Sequence, residues 1–201
     1  MKEELGDINS IVKKAQDGDL EAFEFIVNKY NKKIYNLALR ILQDNDDALD
    51  VMQDTFVAVF EKIKNFNFNS QFYTWLYRIA TNFALMKIRK GKNSPFTESD
   101  FEKSFDAPLY NSVKTYDFNA EKILLNKELK SYLDLAIAKL PEIYKAVFIL
   151  RDIEELSIIE TSAILGITES NVKIRLKRAR IFLKDHLQQF FSERGTVYEL
   201  Q

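Results

Sequence analysis

Apolar residues recur three and four apart through most of this chain, and nowhere do they alternate as a half-buried strand requires. Residues 7–43 predict one short and one long helix. Asp19 suits the N-cap between them, and Phe23, Ile26, Val27, Tyr30, Ile34, Leu37 and Ile41 follow at helical spacing. Asp44-Asn45-Asp46-Asp47 breaks the pattern and opens a further helix, with Asp46 or Asp47 as its cap. Its inward stripe reads Ala48, Val51, Met52, Thr55, Phe56, Val59, Phe60 and Ile63. Asn65 to Asn69 is a loop. Ser70 then caps a helix over residues 71–90, stopped by Gly91, with Phe72, Leu76, Ile79, Phe83 and Met86 on one face.

Residues 92–118 change character, with Pro95, Pro108 and no sustained period, and predict an exposed linker. A long helix from Asn119 to Leu140 follows, and Pro141 fits the first turn of the next, which runs to about Arg151. Ser157-Ile158-Ile159-Glu160 is a capping-box pattern opening a short helix to Leu165. Gly166 supplies a turn, and Thr168 caps a last helix reaching about Phe190. The expectation is an all-α protein. Two small helical domains, 1–91 and 119–201, are joined by a flexible linker, 92–118, and the second is a helix-turn-helix.

Composition narrows the chemistry. With 5 Gly and 3 Pro in 201 residues, turn-rich β architectures and glycine-rich phosphate loops are out. With 0 Cys, so are disulfides, thiolate zinc and Cys catalysis. With 1 His, a His-based metal or relay site would rest on His186 alone. Asp50 and Asp54 lie one turn apart, but nothing completes a hydrolase or metal site around them. No enzyme, cofactor, metal or small-molecule substrate is therefore expected. The start does not read as a signal peptide and no apolar run could span a bilayer, so a cytoplasmic protein is expected.

The net charge of -1 hides a segregated pattern. Residues 1–61 carry 7 basic and 13 acidic side chains, residues 62–97 carry 7 basic and none acidic, and residues 170–201 carry 7 basic and 3 acidic. Two basic segments in an otherwise acidic chain point to a polyanion partner. The second lies on the last helix. There Ser170, Asn171, Lys173, Ile174 and Lys177 would face a major groove, while Arg175, Arg178 and Arg180 suit phosphates or helix packing.

The first basic segment also holds Phe66, Phe68, Phe72, Tyr73, Trp75, Tyr77, Phe83 and Phe96. Single strands reward such aromatic faces, on which unpaired bases stack. Tyr73, Trp75 and Tyr77 lie off the apolar stripe or at its edge, and Asn82 could hydrogen-bond a base edge. The acidic helix before it, free of basic residues between Arg40 and Lys62, reads as a solvated face or as a dock for a basic protein.

Two stretches carry a family likeness. Asp50-Val-Met-Gln-Asp54-Thr-Phe56 with Phe72-Tyr-Thr-Trp75-Leu-Tyr-Arg78-Ile-Ala-Thr-Asn82 resembles region 2 of bacterial sigma factors. Leu140-Pro141, Leu150-Arg151-Asp152, Leu156-Ser157, Ile164-Leu-Gly166-Ile and Val172-Lys-Ile-Arg175-Leu-Lys-Arg178-Ala-Arg180 resemble region 4. Region 3 and the N-terminal extension of housekeeping sigmas have no counterpart, which resembles the extracytoplasmic-function (ECF) group. The likeness covers about residues 8–91 and 119–190.

The resemblance implies a transcription initiation factor. Asp47, Asp50, Gln53, Asp54 and Phe56 would dock on the clamp coiled coil of core RNA polymerase. Phe66, Asn69, Ser70, Tyr73, Trp75, Tyr77, Arg78, Asn82 and Lys87 would open the −10 element and hold its single strand. Ser170, Asn171, Lys173, Ile174, Lys177 and Arg178 would read the −35 duplex. An anti-sigma factor is the partner the resemblance adds. Three residues depart from the family pattern: Glu155 where Gly is common, Thr161 where a larger apolar residue is usual, and Ile174 where a small polar residue is common. Ile174 bears on −35 preference through thymine methyls. The competing reading is a free-standing helix-turn-helix repressor, which leaves the acid-free aromatic segment unexplained.

Overall fold

In the computed structural model, which describes residues 2–91 and 127–193, every regular element is a helix. Among these residues no helix is long and apolar enough to cross a membrane. They fall into two compact units, one of residues 2–91 with Ala163–Gly166 and one of residues 127–162 with 167–193. The expected linker 92–118, the start of the helix expected from Asn119 and the tail beyond Glu193 lie outside the described residues.

The first unit contains α1 (Lys2–Gln16), α2 (Leu20–Leu42), α3 (Asn45–Lys62), a short 3-10 turn (Ile63–Asn65) and α4 (Phe72–Gly91). Asp19 caps α2 as expected, accepting from the Ala22 N–H at 3.0 Å. The cap of α3 is Asp44, not Asp46 or Asp47. Its carboxylate accepts from the Asp47 N–H at 2.9 Å, and Asp46 and Asp47 occupy the first turn. Ser70 does not cap α4: the first helical bond runs from the Trp75 N–H to the Gln71 carbonyl at 3.3 Å.

Four helices bury Ile8, Val12, Ile26, Ile34, Leu37, Val51, Val59, Phe72 and Leu76 together. The buried face of α4 differs from the expected stripe. It runs Phe72, Leu76, Ala80, Ala84, joined by Tyr77 and Thr81, while Met86 is 48% exposed. Large apolar residues dominate a sequence pattern, but α4 packs on α2 and α3 with the small residues Ala80 and Ala84 on its buried face.

The rest of the described chain forms α5 (Lys127–Lys139), α6 (Glu142–Phe148), α7 (Ile158–Leu165), whose last residues fall outside the second unit, and α8 (Glu169–Glu193). Pro141 stands at the N-cap of α6, just before its first turn. The helix expected to reach Arg151 widens after Phe148 into a π turn, Ile149–Ile153, closed by Glu154 N–H to Ile149 carbonyl at 2.9 Å. Glu155 then takes a φ of 56°. That left-handed conformation favours glycine, the residue common there in the resembled family. The unit buries Tyr144, Val147, Phe148, Ile149, Leu150, Val172, Ala179 and Leu183.

Candidate nucleic-acid interface and docking face

The outward face of α3 is amphipathic. With 3.6 residues per turn, Leu49, Gln53, Val57 and Phe60 line one side of it and Asp50, Asp54 and Glu61 the other. All seven are exposed, Val57 at 60% and Phe60 at 55%. Phe60 keeps one partner, the Phe23 ring at 5.0 Å, edge-on. The structure thus brings together the expected Asp50, Gln53 and Asp54. It removes Phe56, which is 8% exposed and packs into the core behind them. Leu49 and Val57 were not expected. The signal lay in the periodicity, since apolar residues at outward positions have no packing reason.

Asp47 and Asp50 hold a cation of their own chain. Lys87 on α4 lies 2.9 Å from Asp47 Oδ1 and donates to Asp50 Oδ2 at 2.8 Å. Lys87 is therefore corrected from a −10 phosphate contact to a tie between α3 and α4. The hydrogen bond to Asp50, then that to Asp47, pushes its ammonium well above the usual lysine range.

The loop before α4 is built on an aromatic cluster. Phe66 centres it, with ring centroids 4.8 Å from Phe68, 5.5 Å from Phe72 and 5.3 Å from Trp75. The carboxamide of Gln16 on α1 holds the approach to this loop, donating to the Ile63 carbonyl at 2.8 Å and the Phe66 carbonyl at 2.7 Å. Phe68 takes a φ of 59°, and the Asn67 side chain accepts from the Asn69 N–H at 3.3 Å. The loop thereby presents Asn69, Ser70 and Gln71 to solvent.

Along α4, Gln71, Trp75, Arg78, Asn82 and Arg89 share the solvent side, at spacings of four, three, four and seven. Trp75 is half-buried, its ring tilted against those of Phe66 and Phe72, and the other four are exposed. Two expected base contacts are corrected. Phe66 and Tyr77 are 5% and 4% exposed and shape the core under this stripe rather than reaching beyond it. Tyr73 is half-buried and about 160° around the helix from Trp75, with its ring against Tyr77 at 6.4 Å.

In the second unit the helix-turn-helix is locally over-determined. Ser157 and Glu160 form the full capping box: Ser157 N–H to Glu160 Oε2 at 2.7 Å and Glu160 N–H to Ser157 Oγ at 3.1 Å. Gly166 has a φ of 65°, and the Ile167 N–H closes the turn on the Ser162 carbonyl at 3.2 Å. Thr168 caps α8 through the Asn171 N–H at 3.2 Å. Ile164, Val172 and Leu176 are buried, while Leu165 and Ile167 are half-buried.

The outward side of α8 presents Ser170, Asn171, Lys173, Ile174 and Lys177, all exposed. Arg178 is corrected: its Nη1 donates to the Tyr144 hydroxyl at 3.1 Å on α6. Arg180 grips Asp152 of the π turn bidentately, at 2.8 and 2.7 Å. The lone histidine, His186, stacks on Phe182 at 4.1 Å and donates from Nδ1 to the Phe182 carbonyl at 3.0 Å.

Known proteins share this arrangement. Residues 26–94 match the family model of sigma-70 region 2, and residues 130–183 that of sigma-70 region 4. The chain is 35% identical over 181 residues to the ECF RNA polymerase sigma factor SigW of Bacillus subtilis, covering 90% of this chain and 97% of that one. It is 32% identical over 187 residues to the RNA polymerase sigma-H factor of Pseudomonas aeruginosa, covering 91% and 95%. Among solved structures, CnrH in complex with the cytosolic domain of CnrY superposes with a TM-score of 0.63 at 25% identity, over 89% of this chain and 96% of that one. The chain belongs to the sigma-70 family of RNA polymerase sigma factors, within its extracytoplasmic-function group. It is a transcription initiation factor rather than a free-standing repressor.

Proposed function

We infer that this protein is the dissociable promoter-recognition subunit of a bacterial RNA polymerase. The outward face of α3 docks on the core enzyme through Leu49, Val57 and Phe60 together with Gln53, Asp50 and Asp54. The loop Asn69–Gln71 and the stripe Trp75, Arg78, Asn82 receive the unpaired −10 strand. The helix α8 reads the −35 duplex with Ser170, Asn171, Lys173, Ile174 and Lys177. The division of labour is 1–91 for polymerase and −10 binding, 92–118 as linker and 119–201 for −35 binding. The protein carries no active site of its own, works in the cytoplasm, and is held in check by an anti-sigma protein.

The observation that carries this reading is one unit with two unlike outward faces on neighbouring helices. One is apolar and acidic, on α3; the other is basic and aromatic, on α4. A protein that only bound duplex DNA would need neither. Single strands reward stacking surfaces, and protein partners reward buried apolar area edged by charge.

The test adds the purified protein to core polymerase on promoters randomised at both elements. Core-dependent, sequence-selective transcripts are expected. Tight duplex binding in the absence of core, with no effect of core on it, would return the repressor reading.

A further inference from the structure

Ile174 occupies the middle of the outward face of α8 and is 51% exposed. A branched apolar side chain held in water contributes little to folding. Ser170 one turn before and Lys177 one turn after share its stripe, with Asn171 and Lys173 on either side. The arginines further along turn elsewhere, Arg178 to the Tyr144 hydroxyl and Arg180 to Asp152. Neither is presented for the bidentate guanine contact that arginine most often makes.

What the helix does present is an isoleucine beside a carboxamide. In a major groove the apolar feature is the thymine 5-methyl group, and the carboxamide's bidentate partner is adenine N6 and N7. Asn171 and Ile174 are three residues apart, a rise of about 4.5 Å along the helix. That reaches from one base pair to its neighbour, about 3.4 Å away along the duplex.

We propose that Ile174 is a specificity-determining residue of −35 recognition. Its side chain packs on a thymine methyl group, next to an adenine held by Asn171, so the −35 element contains neighbouring A·T pairs. This rests on the reading of α8 as the −35 helix.

The experiment uses holoenzyme assembled from the full chain and core polymerase. Transcription from a library randomised at −35 selects the element. The selected duplex is then remade with deoxyuridine replacing thymidine one position at a time, which deletes only the methyl group. One position is expected to weaken binding about three- to fivefold, the size of one buried methyl group. Ile174→Ser should lose that preference and ignore deoxyuridine there, while Ile174→Val keeps part of it. Asn171→Ala should relax selection at the neighbouring base pair only.

A selected element without neighbouring A·T pairs overturns the proposal. So does wild-type protein indifferent to every deoxyuridine, or Ile174→Ser that stays sensitive to it. In those cases −35 recognition itself still stands. Transcription that ignores the −35 sequence altogether would sink the parent reading as well.

Discussion

Lys87 on α4 donates to Asp50 on α3 at 2.8 Å, across 37 residues of sequence. A cation on α4 is thus engaged by a carboxylate of α3. Removing it should not weaken DNA contacts. Lys87→Met is expected to leave the salt dependence of promoter binding unchanged, whereas Arg78→Met should lower the magnitude of the slope by about 0.7, the value of one single-strand phosphate contact. A Lys87→Met slope that falls by the same amount would restore it to the phosphate contacts.

The same pair sets a pH expectation. Lys87 is raised above its ordinary 10.5 by Asp50 and Asp47. A raised group stabilises the fold at every pH below its unfolded value and loses that contribution as pH climbs through the folded one. The loss falls at strongly alkaline pH. The stability difference between wild type and Lys87→Met should therefore be flat from about pH 6 to about pH 9, as well as small, about 0–1 kcal/mol for so exposed a pair. Urea titrations across that range check it.

Phe66 and Asn82 should fail in opposite ways. Phe66→Ala removes the hub of the aromatic cluster and should cost about 3–5 kcal/mol of stability. Its transcription defect should be equal on duplex and on pre-opened −10 templates. Asn82→Ala touches an exposed side chain, so thermal stability should hold. Its defect should be large on duplex and shrink on the bubble. Trp75→Ala combines both, since the ring is half-buried and stacking on a base is worth about 1–3 kcal/mol. Matching profiles for Asn82→Ala on the two templates would remove it from promoter opening.

Charge reversal at either of two exposed carboxylates of α3 should weaken docking. Asp54→Arg and Asp50→Arg should both weaken binding to core polymerase, and Val57→Asp should do so without removing any acidic side chain. Close charge pairs at such interfaces couple by about 1.5–7 kcal/mol. Unchanged core affinity in all three, measured by fluorescence anisotropy with intact folding, would remove α3 as the docking helix.

Thr161 offers a stability gain. Its side chain is fully buried, and its hydroxyl has no hydrogen-bond partner among the described residues. Thr161→Val keeps the shape and removes the buried polar atom. A gain of about 1–2 kcal/mol is expected in thermal or denaturant unfolding. A loss instead would place a polar partner at that hydroxyl.

Local chemistry was legible in the sequence where one turn settles it. Asp19, the Ser157–Glu160 box, Gly166 and Thr168 act on groups within five residues, and the structure keeps all of them. What escaped reading was decided at a distance. The carbonyls that receive Gln16 lie 47 and 50 residues away. Tyr77 and Phe66 are buried, Phe66 against the rings of Phe68, Phe72 and Trp75, an arrangement that helical spacing alone does not foretell. Glu155 was noticed as an exception to the family's Gly, but only its φ of 56° shows why a glycine suits that place. For the candidate site, the acidic and basic faces were legible from charge. Which cations were already engaged by their own chain was not.

The two sides of α8 carry separable burdens. Val172, Leu176, Ala179 and Leu183 hold the helix to its unit, while the side chains at 170, 171, 173, 174 and 177 are exposed. Substitutions at those five places should shift folding free energy by no more than about 0.5 kcal/mol each. On the proposed reading of α8 as the −35 helix, promoter choice is a variable that mutation can explore while the scaffold stays constant. A duplicated copy of this gene could acquire a new set of target promoters without passing through an unfolded intermediate.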